Sequence, residues 1–399
     1  MRHLFATQDY PPDLGGMSRR HVELCRRFAD GETTMEVSTV SAPNAEAFDA
    51  SEPYAINRQP FPFSRAKVFT SQLRWGRWMS SRAATDIDVL HCGNIRPVGY
   101  GVLFAHFRRG APFLIYVNGG DLLKEQAGIA TSARKRFGAR KILGAASGIV
   151  STSAWVSGLA ADVMRDLGID RPPPIGTFGL GTDPEFFHSG RDTGRLRAKW
   201  GIGDDPLVLT VARLIPHKGQ DVVLRALAAL KPEFPSLHYA IVGTGSDEAR
   251  LRTLAEDLGV RDSVIFAGVL SDDEVAEAYA TSTVYAGLSR TDKSIDAEGF
   301  GISFLEASAS GIPIVAGDSG GVRSAVRDGE SGVIVPSENV NAVVAALRGF
   351  LSDSTRRERT GKTGRSLVET YYNWDRVTAD LAGIGHEIGT RLRMEVAHQ

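Results

Sequence analysis

Two series of alternating strand and helix patterns constrain the fold of this chain more than any other feature. Short apolar segments rich in β-branched residues alternate with longer amphipathic segments, which is typical of β-α-β units and parallel sheets. In the first half, the predicted strands cover residues 4–7, 35–40, 88–93, 113–119 and 148–153. The pattern then restarts, with predicted strands at 207–212, 237–243, 264–269, 284–289, 312–317 and 332–335. The restart predicts two doubly wound α/β domains that face each other across a cleft.

The boundary between these domains is predicted near the middle of the chain. Residues 171–187, RPPPIGTFGLGTDPEFF, form the segment richest in Pro and Gly, as expected of a linker. A chain of 399 residues also exceeds what a single hydrophobic core usually serves. We therefore expect a first domain over 1–182 and a second over 183–373.

The C-terminal segment is predicted to form a helix that returns to the first domain. Within residues 371–389 the apolar side chains recur at helical spacing. They are Trp374, Val377, Leu381 and Ile384. We assign the returning helix to the segment 374–399.

Bulk properties exclude several classes of protein. The two cysteines, Cys25 and Cys92, form no CxxC pair, so neither a disulfide framework nor a zinc site is predicted. No apolar run is long enough to span a membrane, and no secretory signal precedes the first strand. A net charge of -1 does not favour a nucleic-acid partner. These properties favour a cytoplasmic protein.

Residues that follow predicted strands are the candidates for ligand binding, because parallel sheets bind ligands beyond the carboxyl ends of their strands. Gly15 and Gly16 precede a helix and would let an anion approach its backbone, although an ordinary tight turn explains them equally well. Arg213 and Lys218 follow strand 207–212, and two cations in one loop are suited to binding a diphosphate. In the alternative interpretation, they are ordinary solvated surface cations. Gly243 begins a GTG sequence that is only a weak dinucleotide fingerprint.

The segment EGFGISFLEASASGIPIVAG, which starts at Glu298, combines two carboxylates with a Gly-rich turn. If a helix begins near Gly301, its first amides can hold a phosphate. Glu298 and Glu306 can then accept hydrogen bonds from sugar or ribose hydroxyls. In the alternative interpretation, Glu298 only complements the helix dipole and Glu306 is a solvated helix residue.

These motifs resemble those of retaining glycosyltransferases of family four, which have the GT-B fold. The resemblance rests on the E-x7-E segment above, on VARLIPHKG, and on further segments that together span nearly the whole chain. These further segments are DYPPDLGGMSRRHVEL, TFGLGTDPEFF, GDSGGVRSAVRDGESGVIV and YNWDRV. The resemblance implies that the second domain binds a nucleotide-sugar donor, the first domain binds an acceptor, and no metal or other cofactor is used.

The resemblance also implies roles for single residues. Arg213 and Lys218 would neutralise the donor diphosphate, which Gly15 and Gly16 would approach from the first domain. Glu306 would bind the ribose.

Further roles for the transferred sugar and the nucleobase follow from the same resemblance. Glu298 would bind hydroxyls of the transferred sugar beside the amides of Phe300 and Gly301. The backbone at Val269 and Leu270 would lie against the nucleobase, and Gly243 would contribute to the donor site.

One position departs from the family pattern. Where many members have a histidine in HGxD or HGxE, this chain has NGGD, so Asn118 stands in the histidine position and Asp121 in the acidic one. An amide can hydrogen-bond a sugar but cannot carry a proton. His91 is a nearby candidate imidazole, and a buried structural histidine is the alternative.

A basic and aromatic segment predicts contact with an anionic membrane. Residues 57–85 contain six Arg or Lys, no acidic residue, and the sequence Arg74-Trp75-Gly76-Arg77-Trp78. Rings at the headgroup level with cations outside them are typical of interfacial segments. The alternative is that the aromatic side chains pack into their own domain. Residues 134–141, RKRFGARK, would extend this surface.

The predicted reaction is transfer of a hexosyl unit to a lipid-linked, polysaccharide-precursor or small-molecule hydroxyl. The segment SRTDKSIDAEGFGISFLEA resembles phosphatidylinositol mannosyltransferase-like members, which makes GDP-mannose the first donor candidate and UDP-sugars the second. Two alternatives remain, a sugar-nucleotide epimerase of GT-B fold and a non-catalytic nucleotide-sugar binding protein.

Overall fold

The computed structural model describes residues 1–12, 15–29, 33–61, 68–83, 87–291 and 297–383. The chain forms two compact units. Unit 1 comprises Met1–Phe178 and the segment that begins at Trp374, and unit 2 comprises Gly179–Asn373.

Unit 1 is built on a seven-stranded parallel sheet. Its strands are β1 (Arg2–Ala6), β2 (Thr34–Val40), β3 (Ala55–Gln59), β4 (Val89–Cys92), β5 (Phe113–Val117), β6 (Gly148–Ser151) and β7 (Ile175–Thr177). The spatial order is β3-β2-β1-β4-β5-β6-β7. Strand β5 is buried along its whole length, as expected for a central strand covered on both faces.

In the described part of unit 1, seven α-helices connect these strands. They are α1 (Gly16–Ala29), α2 (Glu46–Ser51), α3 (Val68–Arg82), α4 (Val98–Arg109), α5 (Gly119–Thr131), α6 (Ala133–Ala145) and α7 (Ala154–Asp166). Helices α3, α4 and α6 pack side by side over one core, where Trp75 lies against Gly101 and Ile142 against Gly99.

Unit 2 is built on a six-stranded parallel sheet. Its strands are β8 (Leu207–Val211), β9 (His238–Val242), β10 (Val264–Gly268), β11 (Val284–Gly287), β12 (Ile314–Gly317) and β13 (Gly332–Val335). Their spatial order is β10-β9-β8-β11-β12-β13.

Among the described residues, seven α-helices belong to unit 2, and one more follows it in the chain. The seven are α8 (Arg195–Trp200), α9 (Gln220–Leu230), α10 (Glu248–Asp257), α11 (Asp272–Ala280), α12 (Ile302–Ala309), α13 (Val340–Ser352) and α14 (Ser354–Thr370). The last helix, α15, covers residues 374–383 and belongs to unit 1. Its residues Trp374, Val377 and Leu381 are buried as the helical spacing predicts, while Ile384 lies outside the described residues.

All eleven strands predicted from the sequence are present, and the prediction of two α/β domains with parallel sheets is confirmed. Strands β3 and β7 were not predicted. Both lie at the edges of the sheet of unit 1, where a strand pairs on one side only. Strand β3 has the polar sequence AINRQ, and β7 falls inside the segment interpreted as a linker. Among the described helices, none is long and apolar enough to cross a membrane.

Candidate active site

The strand order of unit 2 creates a switch point between β8 and β11. From β8 the chain proceeds to β9 and β10 on one side, and from β11 it proceeds to β12 and β13 on the other. The loops that leave the carboxyl ends of β8 and β11 therefore diverge and open a crevice, which is where α/β sheets bind ligands. The first of these loops carries Lys218, and the second carries Glu298.

Lys218 and Glu298 form a partly buried ion pair at this switch point. The Lys218 Nζ lies 2.6 Å from Glu298 Oε2, which also accepts a hydrogen bond of 3.1 Å from Ser289 Oγ. Their side chains are 18% and 17% exposed. Burial by itself would raise the pKa of Glu298. The charge and hydrogen bond of Lys218, together with the Ser289 hydrogen bond and the nearby His217, outweigh burial, and the pKa lies below its usual value. The site thus holds a fixed anion and a fixed cation in contact.

Glycines let the backbone bring this pair together. Gly219 has φ of +73°, and a Cβ there would lie 2.1 Å from the carbonyl oxygen of Leu288, so only glycine lets the Lys218 loop approach the end of β11. On the other side, the Gly321 N–H donates a hydrogen bond of 2.7 Å to the Glu298 carbonyl. A Cβ on Gly320 would lie 2.3 Å from that carbonyl. In the sequence, GDSGG stands out only through the family resemblance, and no local pattern indicates this contact with the Glu298 carbonyl.

Helix α12 begins at Ile302, as predicted, and its start is shaped by Gly301. Gly301 has φ of +94°, and a Cβ there would lie 2.5 Å from Phe304 Cδ2. The Phe304 N–H donates a hydrogen bond of 3.2 Å to the Gly301 carbonyl. The amides before it, at Ile302 and Ser303, have no acceptor one turn earlier in the helix and can receive an anion. The Phe300 side chain is buried beside Tyr372, so its backbone is the part that could contact a ligand.

Glu306 lies on α12 and is buried, with 6% of its surface exposed. Its Oε2 accepts a hydrogen bond of 2.8 Å from the hydroxyl of Tyr279. The alternative interpretation of Glu306 as a solvated helix residue is therefore wrong. Tyr279 itself was not identified from the sequence, because no pattern links a residue of α11 to one of α12.

The remaining donor-site candidates also follow strands of unit 2. Arg213 is exposed after β8, and its guanidinium has no partner among the described residues. Val269 is 64% exposed directly after β10, and Leu270 is half-buried beside it. Gly243 has φ of +126°, and a Cβ there would lie 2.2 Å from the Ala212 carbonyl oxygen, so Gly243 permits close packing of two loops.

In unit 1, Asn118 caps the start of α5, directly after β5. Its Oδ1 accepts a hydrogen bond of 3.1 Å from Arg20 Nη1, and its Nδ2 lies 3.1 Å from Met17 Sδ. A guanidinium has donors only, so Arg20 fixes which end of the amide faces it. Arg20 is 2% exposed, and burial lowers the pKa of its guanidinium to about 10. No sequence pattern had identified Arg20 as a neighbour of Asn118.

Asp121 lies in the first turn of α5 beside Asn118. Its Oδ1 accepts hydrogen bonds from the backbone N–H groups of Asn118 at 2.8 Å and Leu122 at 2.9 Å. Its Oδ2 is buried and has no hydrogen-bond partner among the described residues. Burial raises the pKa of Asp121 to about 7. Gly15 and Gly16, at the start of α1, are both exposed.

Comparison with known proteins identifies the family to which these motifs belong. Residues 14–185 match the family model for Glycosyltransferase Family 4, and residues 192–367 match that for Glycosyl transferases group 1. The D-inositol 3-phosphate glycosyltransferase of Stackebrandtia nassauensis is 30% identical over 93% of this chain and 86% of its own length. The chain belongs to glycosyltransferase family 4. It is a glycosyltransferase with two Rossmann-like domains of the GT-B type.

A further relative agrees with this assignment, and solved structures share the fold. The GDP-mannose-dependent alpha-(1-6)-phosphatidylinositol monomannoside mannosyltransferase of Mycobacterium tuberculosis is 29% identical over 96% of this chain and 97% of its own. Sucrose-phosphate synthase from Thermosynechococcus elongatus has a TM-score of 0.80 at 20% identity, covering 98% and 99% of the two chains. Anabaena HepE, solved with UDP and glucose, has a TM-score of 0.77 at 18% identity, covering 96% and 98%.

His91 is a buried structural histidine in this glycosyltransferase. Its Nε2 is hydrogen-bonded to His3 Nδ1 at 2.8 Å, and its Nδ1 is hydrogen-bonded to the Tyr116 hydroxyl at 2.8 Å. Its ring stacks on Phe5, and the residue is 2% exposed. Both ring nitrogens are therefore engaged inside unit 1. The alternative that His91 supplies the imidazole missing at Asn118 is not supported.

The buried histidines predict a loss of stability in acid. Burial lowers the pKa of His3 to about 4, that of His21 to about 3 and that of His91 well below its usual value. These neutral, buried imidazoles contribute their full stability to the folded protein above the unfolded pKa of about 6.5. That contribution is lost as the pH falls towards the pKa values of the folded protein, because the unfolded imidazoles bind protons first. Burial raises the pKa values of Asp121 and Glu125, so these two carboxyl groups act in the opposite direction to the three histidines.

We expect the free energy of urea-induced unfolding to fall by roughly 3 kcal/mol between pH 7 and pH 5, because protons bind the unfolded imidazoles. Tryptophan fluorescence monitors this transition mainly in unit 1, which contains all the tryptophans except Trp200. A stability that stays constant or rises over this interval would contradict the assignment.

The tryptophans of α3 do not form a membrane-inserting surface. Trp75 is fully buried, and its Nε1 donates a hydrogen bond of 3.1 Å to the carbonyl of Phe61. Trp78 is half-buried and donates a hydrogen bond of 3.3 Å from its Nε1 to Ser38 Oγ. The prediction that these two rings lie at a membrane interface is therefore wrong, because both pack into unit 1. Arg74 and Arg77 remain exposed on the outer side of α3.

Proposed function

We propose that this enzyme transfers a hexosyl unit from a nucleoside-diphosphate sugar to a hydroxyl group with retention of anomeric configuration. The observation that carries the proposal is the Lys218–Glu298 pair at the switch point of unit 2. A sugar nucleotide contains an anionic diphosphate joined to a sugar with many hydroxyl donors. A cation and an ionised carboxylate in contact match these two neighbouring groups.

Further donor contacts would come from other residues that follow strands of unit 2 and from α12. Arg213, which has no partner among the described residues, would add a second cation to the diphosphate. The first amides of α12 would bind phosphate oxygens, and Glu306 would accept hydrogen bonds from the ribose. Val269 offers an exposed apolar surface for one face of the nucleobase, next to Leu270.

The transferred sugar leaves the diphosphate through a transition state with oxocarbenium character, and charge develops on the leaving phosphate. Fixed cations and amide dipoles stabilise that charge without rearranging during the reaction. Because Arg213 and Lys218 supply positive charge directly, we propose a reaction that requires no metal ion. In unit 1, Asn118 would hydrogen-bond substrate but transfer no proton.

The relatives favour particular substrates. The Mycobacterium tuberculosis relative is GDP-mannose-dependent and acts on a phosphatidylinositol monomannoside, and the Stackebrandtia relative is a D-inositol 3-phosphate glycosyltransferase. We propose GDP-mannose as the donor, with UDP-sugars as the second candidates. We propose a lipid-linked or polyol acceptor.

A thermal-shift panel tests the donor assignment. A ligand that binds only the folded protein raises the apparent unfolding temperature in proportion to the logarithm of saturation. GDP and GDP-mannose are expected to raise it more than UDP, ADP or inorganic phosphate. The donor assignment fails if no nucleoside diphosphate shifts the transition.

We also propose that unit 1 binds an anionic membrane through a basic face formed by α3, α4 and α6. These helices contain three, two and five Arg or Lys, respectively, and no Asp or Glu. Phe107 on α4 is 70% exposed and Phe137 on α6 is 65% exposed. Apolar rings among cations suit the interface of an anionic bilayer. This face takes the place of the surface predicted around Trp75 and Trp78.

Replacing both Phe107 and Phe137 with Ser should reduce cosedimentation with phosphatidylglycerol-containing vesicles about tenfold, since apolar area that enters the interface is lost. Tyr371→Ser, which alters an exposed ring of unit 2, is the matched control. Binding that is equal for neutral and anionic vesicles would contradict the proposed basic face.

A further inference from the structure

A buried tyrosine fixes the carboxylate that is proposed to bind the ribose. Tyr279 lies on α11 and is fully buried, and its hydroxyl donates the 2.8 Å hydrogen bond to Glu306 Oε2. Helix α12 begins at Ile302, and Glu306 lies one helical turn further along it. One turn corresponds to about 5.4 Å along a helix axis. The carboxylate is therefore displaced from the first amides of α12, which are proposed to hold the phosphate.

Neighbouring rings hold Tyr279 in place. Its ring contacts Phe187 edge-on at 5.8 Å and lies 5.7 Å from the ring of Tyr285, measured between centroids. The Tyr285 hydroxyl in turn donates a hydrogen bond of 3.3 Å to the Val211 carbonyl at the end of β8. The position of the Tyr279 hydroxyl is therefore set by packing across α11, β11 and β8, and does not depend on a ligand.

We infer that Tyr279 is a positioning residue that makes this donor site selective for ribonucleotides over nucleotides without ribose hydroxyls. The inference rests on the proposed function, in which Glu306 binds the ribose. A buried carboxylate is stable only if it is hydrogen-bonded, and the bond from Tyr279 also restricts its rotation. The carboxylate is then held in one orientation, ready to accept hydrogen bonds from ribose hydroxyls.

The test compares the affinities of GDP and 2′,3′-dideoxy-GDP, measured by isothermal titration calorimetry on the full chain. Wild-type protein should bind GDP more tightly, because only GDP can donate to Glu306. Tyr279→Phe should weaken GDP binding about tenfold, the lower end of the effect of a hydrogen bond to a charged group. It should leave the affinity for the dideoxy nucleotide unchanged.

Tyr239→Phe is the matched control, since Tyr239 is also fully buried in unit 2 and its hydroxyl donates a hydrogen bond of 2.9 Å to Thr210 Oγ1. This control should change neither affinity. Glu306→Gln provides a second variant if Tyr279→Phe does not fold. It keeps an acceptor for Tyr279 but removes the charge, and it should also reduce the preference for GDP.

The inference is overturned if Tyr279→Phe weakens both nucleotides equally or weakens neither. A wild-type protein that binds GDP but shows no preference over the dideoxy nucleotide also overturns it, while leaving the proposed donor class intact. If the wild type binds no nucleoside diphosphate, the proposed function fails together with the inference.

Discussion

Lys218→Ala is expected to reduce kcat/KM for sugar transfer by about 10²- to 10³-fold, the usual effect of removing a preorganised group that stabilises charge in a transition state. Lys218 is the cation in contact with Glu298, and we propose that it also neutralises the departing diphosphate. Its removal would therefore weaken leaving-group stabilisation and leave the Glu298 carboxylate without the cation that contacts it.

The same variant should change the pH dependence of the reaction. Burial would raise the pKa of Glu298, but in the wild type Lys218, together with Ser289 and His217, holds it below its usual value. Without Lys218, the effect of burial is opposed less strongly and this pKa rises, so Glu298 becomes protonated at higher pH. The acidic limb of the pH–rate profile should move to higher pH in Lys218→Ala.

Lys199→Ala is the matched control for this prediction. Lys199 also lies in unit 2 and pairs with Glu274 at 3.1 Å, but its side chain is 55% exposed and lies on α8. An exposed pair contributes little, so this variant should retain wild-type activity. Equal activities for the Lys218 and Lys199 variants would contradict the proposed role of Lys218.

Gly301→Ala is expected to impair both stability and donor binding. A left-handed backbone conformation costs a residue with a side chain about 1–2 kcal/mol. The new Cβ would also lie 2.5 Å from Phe304 Cδ2 and 2.6 Å from Cε2. Phe304 is buried against Tyr285 and has little room to move. The start of α12 would therefore shift, and GDP affinity should fall at least tenfold.

Gly311→Ala is the matched control that separates the cost of the left-handed backbone from the cost of a clash between the new Cβ and neighbouring atoms. Gly311 has φ of +76°, but a Cβ there meets no atom within 4 Å. This variant should lose only the strain energy, about 1–2 kcal/mol of unfolding free energy, and keep its GDP affinity. If Gly301→Ala loses only as much stability as Gly311→Ala and binds GDP normally, the start of α12 does not form part of the donor site.

The sequence predicted the fold well because a parallel sheet covered on both faces requires continuous apolar strands. Most of the eleven predicted strands reflect that requirement, whereas β3 has the polar sequence AINRQ and β7 is only three residues long within a segment rich in Pro and Gly. The start of α12 could also be predicted from the sequence, because a glycine followed by a mainly apolar segment indicates the beginning of a buried helix.

Contacts between residues that are far apart in the chain could not be predicted from the sequence in the same way. Nothing in the spacing of Lys218 and Glu298 shows that they touch, because the contact depends on the strand order that places β8 beside β11. Trp75 was misinterpreted for a related reason. Its basic neighbours indicated a surface, but α3 turns the ring inward against α4 while Arg74 and Arg77 point outward.

Transfer of labelled mannose from GDP-mannose to a lipid extract that contains phosphatidylinositol mannosides tests the account most directly. Wild-type protein should produce a labelled lipid, in the presence of EDTA as in its absence, and Glu298→Ala should not. GDP binding without transfer of mannose, or of any other sugar from a nucleotide donor, would contradict the proposed function.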